Sequence, residues 1–265
     1  RRIVRKSAGG KTQMCWSGEA STVLAVIGLG STAYAAVRRE PPALWVVLGY
    51  FSSMEALQAY TYAVLDACSD PGNQIATLLG YLHIAFQPFF GNALAMHFVP
   101  APVRNRIQLP VYFLCFVSAI VMIIQLYPFA LAGACEVGSP LCGPKLCSVS
   151  GNWHIAWEVP ANGIGNGLPS IEYYGSGYPT YALTMFFLPL LYGSWRFTLY
   201  HVLVGPTLAR LLTDNMNEYP AVWCLLAIGM LLLVVKTPLR RALFVRNWLL
   251  WPRAMRQPRC AGASA

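Results

Sequence analysis

The chain has 265 residues, of which 56% are apolar and only 11% charged, with a formal net charge of +9. Soluble domains of this length carry about a quarter charged residues, so the composition excludes an ordinary soluble protein. It points instead to an all-α integral membrane protein, in which the plentiful Gly and Pro are tolerated because neighbouring helices re-satisfy the backbone.

In chain order, a basic N-terminal extension (1–17) precedes a predicted helix bundle over 18–236. Runs approaching the ~20 apolar residues needed to cross hydrocarbon fall at 20–37, 43–65, 74–98 and 110–133, with "VPAPVRNRIQLP" as a turn-rich connector before the fourth. A Cys-rich extramembrane loop follows at 134–178, too long for a simple turn, and further runs lie at 180–193 and 221–235. Read as one helix, residues 180–212 would be ~50 Å long and would bury Arg196 in the membrane. A break near Ser194–Arg196 is therefore expected, giving a short sixth span at 197–212 with Pro206 as its candidate kink. The expectation is seven transmembrane helices, or six if 180–212 is continuous, with the two ends of the chain on opposite sides. Residues 237–265 form a basic tail whose alternating apolar and basic groups read as an amphipathic segment on the membrane surface, drawn to anionic lipid or an acidic surface and not to nucleic acid.

Charge gives an orientation. The side opposite the N-terminus collects Arg38, Arg39, Arg104, Arg106, Arg196 and all seven basic residues from Lys236 onward, twelve in total; the N-terminal side holds seven. By the positive-inside rule the C-terminal side faces the cytoplasm, stroma or matrix, and the N-terminus with the Cys-rich loop faces the exoplasmic or lumenal side. Cys68, Cys135, Cys142 and Cys147 fall on that side, where two of the loop's three cysteines are expected to pair and Cys68 is available for the third. The alternative is a Cys3His zinc site completed by His154, whose spacing fits no standard ribbon.

The segments "MCWSGEAS" (14–21), "YFSSMEALQAY" (50–60), "GNWHIAWEV" (151–159), "YALTMFFLPLLYGSWR" (181–196) and "AVWCLLAIG" (221–229) resemble, in order and spacing, a group of uncharacterised membrane proteins that begin Met-Cys-Phe/Trp-Ser. The resemblance implies seven spans and the break at Arg196; it brings no activity. This sequence differs in having thirteen residues before Met14 and a more basic tail. The basic, acid-free residues 1–13 read as the remnant of a targeting segment for an organellar membrane, or as a scar.

The candidate site lies in the second and third spans, where Glu55, Gln58, His83, Gln87 and Asn92 interrupt apolar sequence. Glu55 and Gln87 each lie ~16–18 Å from the C-terminal-side end of their spans, and Gln58 and His83 ~22 Å. If the two helices pack antiparallel, Glu55 faces Gln87 and Gln58 faces His83 near the midplane. Two readings remain: a polar clasp that fixes helix register, and a functional intramembrane site for a proton, cation or small molecule. His97 and His201 are the only pair that could hold a single haem; no cofactor is specified by the sequence. In the loop, His154 and Glu158 could form an acid/base pair. Three classes of function follow: an accessory or scaffolding subunit of a larger membrane complex, which is favoured and implies other membrane-protein subunits as partners; a carrier or sensor using the intramembrane cluster; and an intramembrane lipid-modifying enzyme. Catalysis is the least supported of these.

Overall fold

The structure is a computed structural model and describes residues 16–166 and 178–252. It is mostly helical. The helices are α1 (Gly18–Val37), α2 (Pro42–Ala63), α3 (Pro71–His97), α4 (Ala101–Ile124), α5 (Pro179–Leu191), α6 (195–212), α7 (Tyr219–Lys236) and the short α8 (Leu239–Leu243). An antiparallel hairpin of β1 (Cys147–Ser150) and β2 (Ile155–Glu158) lies between α4 and α5. Helix starts follow local chemistry. The Ser17 hydroxyl accepts from Ala20 N–H, the Asp70 carboxylate accepts from Gly72 N–H, and α2, α3, α4, α5 and α7 each place Pro in the first turn, where its missing N–H costs nothing. Three helices, α1, α4 and α7, are long and apolar enough to cross a membrane. The longer α2 and α3 carry the polar residues described below.

Two stretches differ from, or sharpen, the sequence reading. The connector expected at 99–110 is largely helical: α4 begins at Ala101, because Pro102 suits a first helical turn and the Arg-rich segment forms exposed opening turns. Near residue 193 the chain does turn sharply. Gly193 has φ +94°, its N–H bonds to Leu190 C=O and the Ser194 N–H to Pro189 C=O, which closes α5 before α6 begins. A Cβ at Gly193 would also meet the rings of Trp248 and Trp251 at 2.8–2.9 Å. Within α6, residues Leu203–Thr207 widen into a π turn that accommodates Pro206 without its ring striking the preceding turn.

α1 lies against α2 closely enough that a Cβ at Gly28 would sit 2.1 Å from the Ser52 hydroxyl. α2, α3 and α7 form the interior of the bundle, with Leu44, Leu48, Met54, Leu94, Ala227 and Leu231 fully buried. The outer faces of α1 and α4 are apolar and exposed.

The two ends of the bundle are built differently. At one end the loop after α4 folds into a cap. Disulfides join Cys68 to Cys147 and Cys135 to Cys142, which fits an oxidising compartment and leaves no set of thiolates for the zinc alternative. Asn73 of α3 clasps the hairpin in both directions, donating to Ser148 C=O at 2.9 Å and accepting from Ser148 N–H at 2.9 Å. Asp66 accepts from the Ser150 N–H and hydroxyl. At the other end the segment after α7 folds back on the bundle: Arg240 pairs with Glu40 at 2.7 Å, Val245 N–H bonds to Phe98 C=O, and the indole of the buried Trp251 donates to Tyr192 C=O. Up to residue 252 the tail thus packs on the bundle as a second, smaller cap through Leu243, Val245 and Trp251, while Leu249 and Leu250 stay exposed. Residues 253–265 lie outside the described residues, as does the start of the N-terminal extension.

Candidate functional site: an unpaired polar core beneath a cross-linked cap

Glu55 and Gln58 project from one face of α2 into the bundle, and both are completely buried. Neither carboxyl oxygen of Glu55 has a hydrogen-bond partner among the described residues, and neither does either polar atom of the Gln58 amide. Ser21 of α1, whose hydroxyl accepts from the Trp16 indole, lies beside Glu55, and the Cys224 thiol of α7 lies within electrostatic reach. No Lys or Arg forms an ion pair with Glu55 among the described residues.

The expected cross-helix bonds do not form. Gln87 accepts from the Tyr181 hydroxyl at 2.5 Å and donates to the Cys224 sulfur at 3.6 Å, so it bridges α3, α5 and α7 rather than facing Glu55. His83 turns away from Gln58: its ring stacks on Tyr50 at 3.8 Å, and Tyr50 in turn stacks on Phe90 at 3.5 Å. His83 and Phe90 are seven residues apart on one helix face, a gap that the Tyr50 ring fills; depth matching alone cannot anticipate that an imidazole will offer its face instead of its nitrogen. The Tyr50 hydroxyl donates to His83 C=O, and His83 Nε2 is left without a partner. Asn92 is the opposite case. Its amide donates to Pro88 C=O (2.9 Å), Thr184 C=O (2.9 Å) and the Cys115 sulfur (3.4 Å), and its carbonyl accepts from the Tyr192 hydroxyl (2.9 Å). Pro88 removes a backbone donor from α3, and Asn92 is a clasp that ties α3 to α4 and α5.

Tyr62, seven residues and ~10 Å of rise beyond Glu55 on the same face of α2, carries the polar line to the cap. Its hydroxyl lies 3.2 Å from His154 Nδ1. Ile155 N–H also donates to that nitrogen at 2.7 Å, so Nδ1 is the acceptor and the proton resides on Nε2, which has no partner. Burial disfavours the charged ring and pushes the His154 pKa down to about 3. The buried Glu218 carboxylate at the start of α7 accepts from Asn152, Trp153 and His154 N–H groups and from the Thr213 hydroxyl, and so locks the hairpin turn onto the bundle. Glu158 is elsewhere, at the far end of β2, where four residues of extended chain separate it from His154 by ~13 Å; the two do not form an acid/base pair.

His97 and His201 do not face each other across an open plane. A run of packed rings, His97–Phe98–Phe197–His201, with centroids 5.2, 5.4 and 5.6 Å apart in succession, stands between them. The arrangement does not suit a haem.

Residues 19–244 match the model of a protein family described as "Family of unknown function (DUF5765)". The chain belongs to this family. The family match runs from the first turn of α1 to the segment after α8 and so takes in the polar core and its cap together. No curated protein and no solved structure matches the chain.

Sequence reasoning missed Tyr50, Tyr62, Tyr181, Cys224 and Glu218. Glu218 stands at a Tyr-Pro helix start, but its carboxylate caps no N–H of that helix and bonds the distant hairpin instead, so no local signal gave its role. The tyrosines had none, because their hydroxyls matter only through what they reach.

Proposed function

We propose that the protein is a seven-span integral membrane protein that acts as a carrier or sensor of a proton, cation or small polar molecule, with Glu55 and Gln58 as its binding groups and the line from Gln58 through Tyr62 to His154 as the approach from the capped end. The observation that supports this reading is the unpartnered, fully buried Glu55–Gln58 pair. An isolated carboxylate at that depth is too costly to keep charged, so Glu55 holds a proton or meets a cation. Register alone would not require it, since the Asn92 clasp already joins three helices. This moves the weight away from the accessory-subunit reading, which has no comparable observation behind it. In this reading the disulfide-linked cap faces an exoplasmic or lumenal space and the basic end faces the cytoplasm or its organellar equivalent.

The test is proton movement in sealed vesicles containing the purified chain and a trapped pH-sensitive dye. Wild-type protein should dissipate an imposed pH gradient, alone or with an added organic cation, and Glu55→Gln should reduce the rate at least about tenfold, as expected when an essential proton-transfer group is removed. Equal rates for wild-type, Glu55→Gln and protein-free vesicles would sink the carrier reading.

A further inference from the structure

At the end of the bundle opposite the cap, an open cleft of about 970 Å³ lies between the α3–α4 turn, the start of α6 and the segment after α8. Four arginines from three separate stretches line it: Arg104, Arg196, Arg241 and Arg246. The carboxylate at this end, Glu40, is engaged by Arg240, which lies outside the cleft. Among the described residues no ion pair involves any of the four lining arginines. Arg196 is held in place by bonds to Ala242 and Phe244 C=O and by the Trp195 ring, with its guanidinium 5.4 Å from the ring centre. His97, nine-tenths buried, lines the cleft with its Nε2 unpartnered. Two helices also begin here. α4 and α6 start at Ala101 and Trp195, both in the cleft wall, and neither start is capped by a side chain. Their first-turn N–H groups and positive dipole ends therefore add to the arginine charge.

We infer that this cleft binds a phosphate-bearing anion, and that the occupant is an acidic phospholipid whose phosphate meets the arginines while the exposed Trp195 and the apolar Val99 and Val245 suit the root of its acyl chains. A positive-inside signal requires only that basic residues be present in the loops. Convergence of four of them on one concave site, with two uncapped helix starts and an unpartnered imidazole, is the arrangement that recognises phosphate oxygens. A soluble phosphate compound is the other source of the same chemistry. The site is independent of the Glu55 reading.

The experiment uses the full chain in neutral detergent and measures binding of short-chain phosphatidate, short-chain phosphatidylcholine and inorganic phosphate by native mass spectrometry and titration calorimetry. Phosphatidate should bind in preference to phosphatidylcholine. The double variant R104Q/R241Q should weaken it at least about tenfold, since two charge-assisted contacts are lost. The control R38Q/R106Q, which removes two exposed arginines that do not line the cleft, should leave it unchanged. Displacement by inorganic phosphate at similar concentration would identify a soluble phosphate compound as the source, and failure of phosphate to displace would identify the lipid; both support the site. Equal loss in the control, equal binding of phosphatidylcholine, or no binding of either phosphatidate or inorganic phosphate would overturn it.

Discussion

Asn92 and Glu55 lie in the same helical interior, both with no exposed surface, yet their hydrogen-bond accounts are opposites. Asn92 satisfies its amide across α3, α4 and α5, while Glu55 satisfies neither oxygen. Polarity at depth is thus not one signal but two. A fully bonded group adds cohesion and specifies register; an unbonded one costs stability.

The comparison is most strongly tested at Asn92. Replacing it with Ala strands the Tyr192 hydroxyl and the Thr184 carbonyl, and should lower stability by about 2–4 kcal/mol, read as a drop in the detergent melting temperature. Opening the cap should distinguish the two residues in another way. Cys68→Ser with Cys147→Ser should cost roughly 2–4 kcal/mol of cap stability. Hydrogen exchange should quicken around Tyr62 and His154, and stay unchanged around Asn92.

His154 supplies a pH dependence. Its folded pKa of about 3 lies below the ordinary 6.5, so an opened cap binds a proton that the closed cap does not. Closure is therefore fully stable above pH 6.5 and weakens as pH falls toward 3, by up to about 1.4 kcal/mol per pH unit if the ring titrates alone. Acid-induced exchange of the hairpin amides should follow that slope, and His154→Phe should flatten it. The smallest effect belongs to Glu55. Neither Glu55 oxygen has a hydrogen-bond partner to lose, so Glu55→Gln should change the melting temperature little, within about 1 kcal/mol, while the vesicle proton flux should fall at least about tenfold. A loss as large as that of Asn92→Ala would mean that Glu55 is a clasp after all.

Much of this was legible in the residues. Apolar run lengths, together with Pro and Gly, located the helices, because each is a local cost or gain that the backbone meets within a few residues. The break before Arg196 could be read from length and charge alone. The start of α4 could not, since exposed opening turns are polar and look like a loop. The cysteines gave an oxidising loop but not the pairing, because Cys68 and Cys147 are 79 residues apart and only folding brings them together.

The sequence by itself determined which polar groups lie deep in the helices: Glu55, Gln58, His83, Gln87 and Asn92 stand in apolar surroundings that no loop could provide. Only the tertiary structure decided which of them are satisfied. Helical periodicity fixes a residue's depth and face, but hydrogen bonding depends on what a neighbouring helix presents at that height. Tyr181 and Cys224 reach Gln87, Tyr192 and Thr184 meet Asn92, Tyr50 takes the face of His83, and Glu55 and Gln58 are packed in without a hydrogen-bond partner at their carboxyl and amide atoms among the described residues.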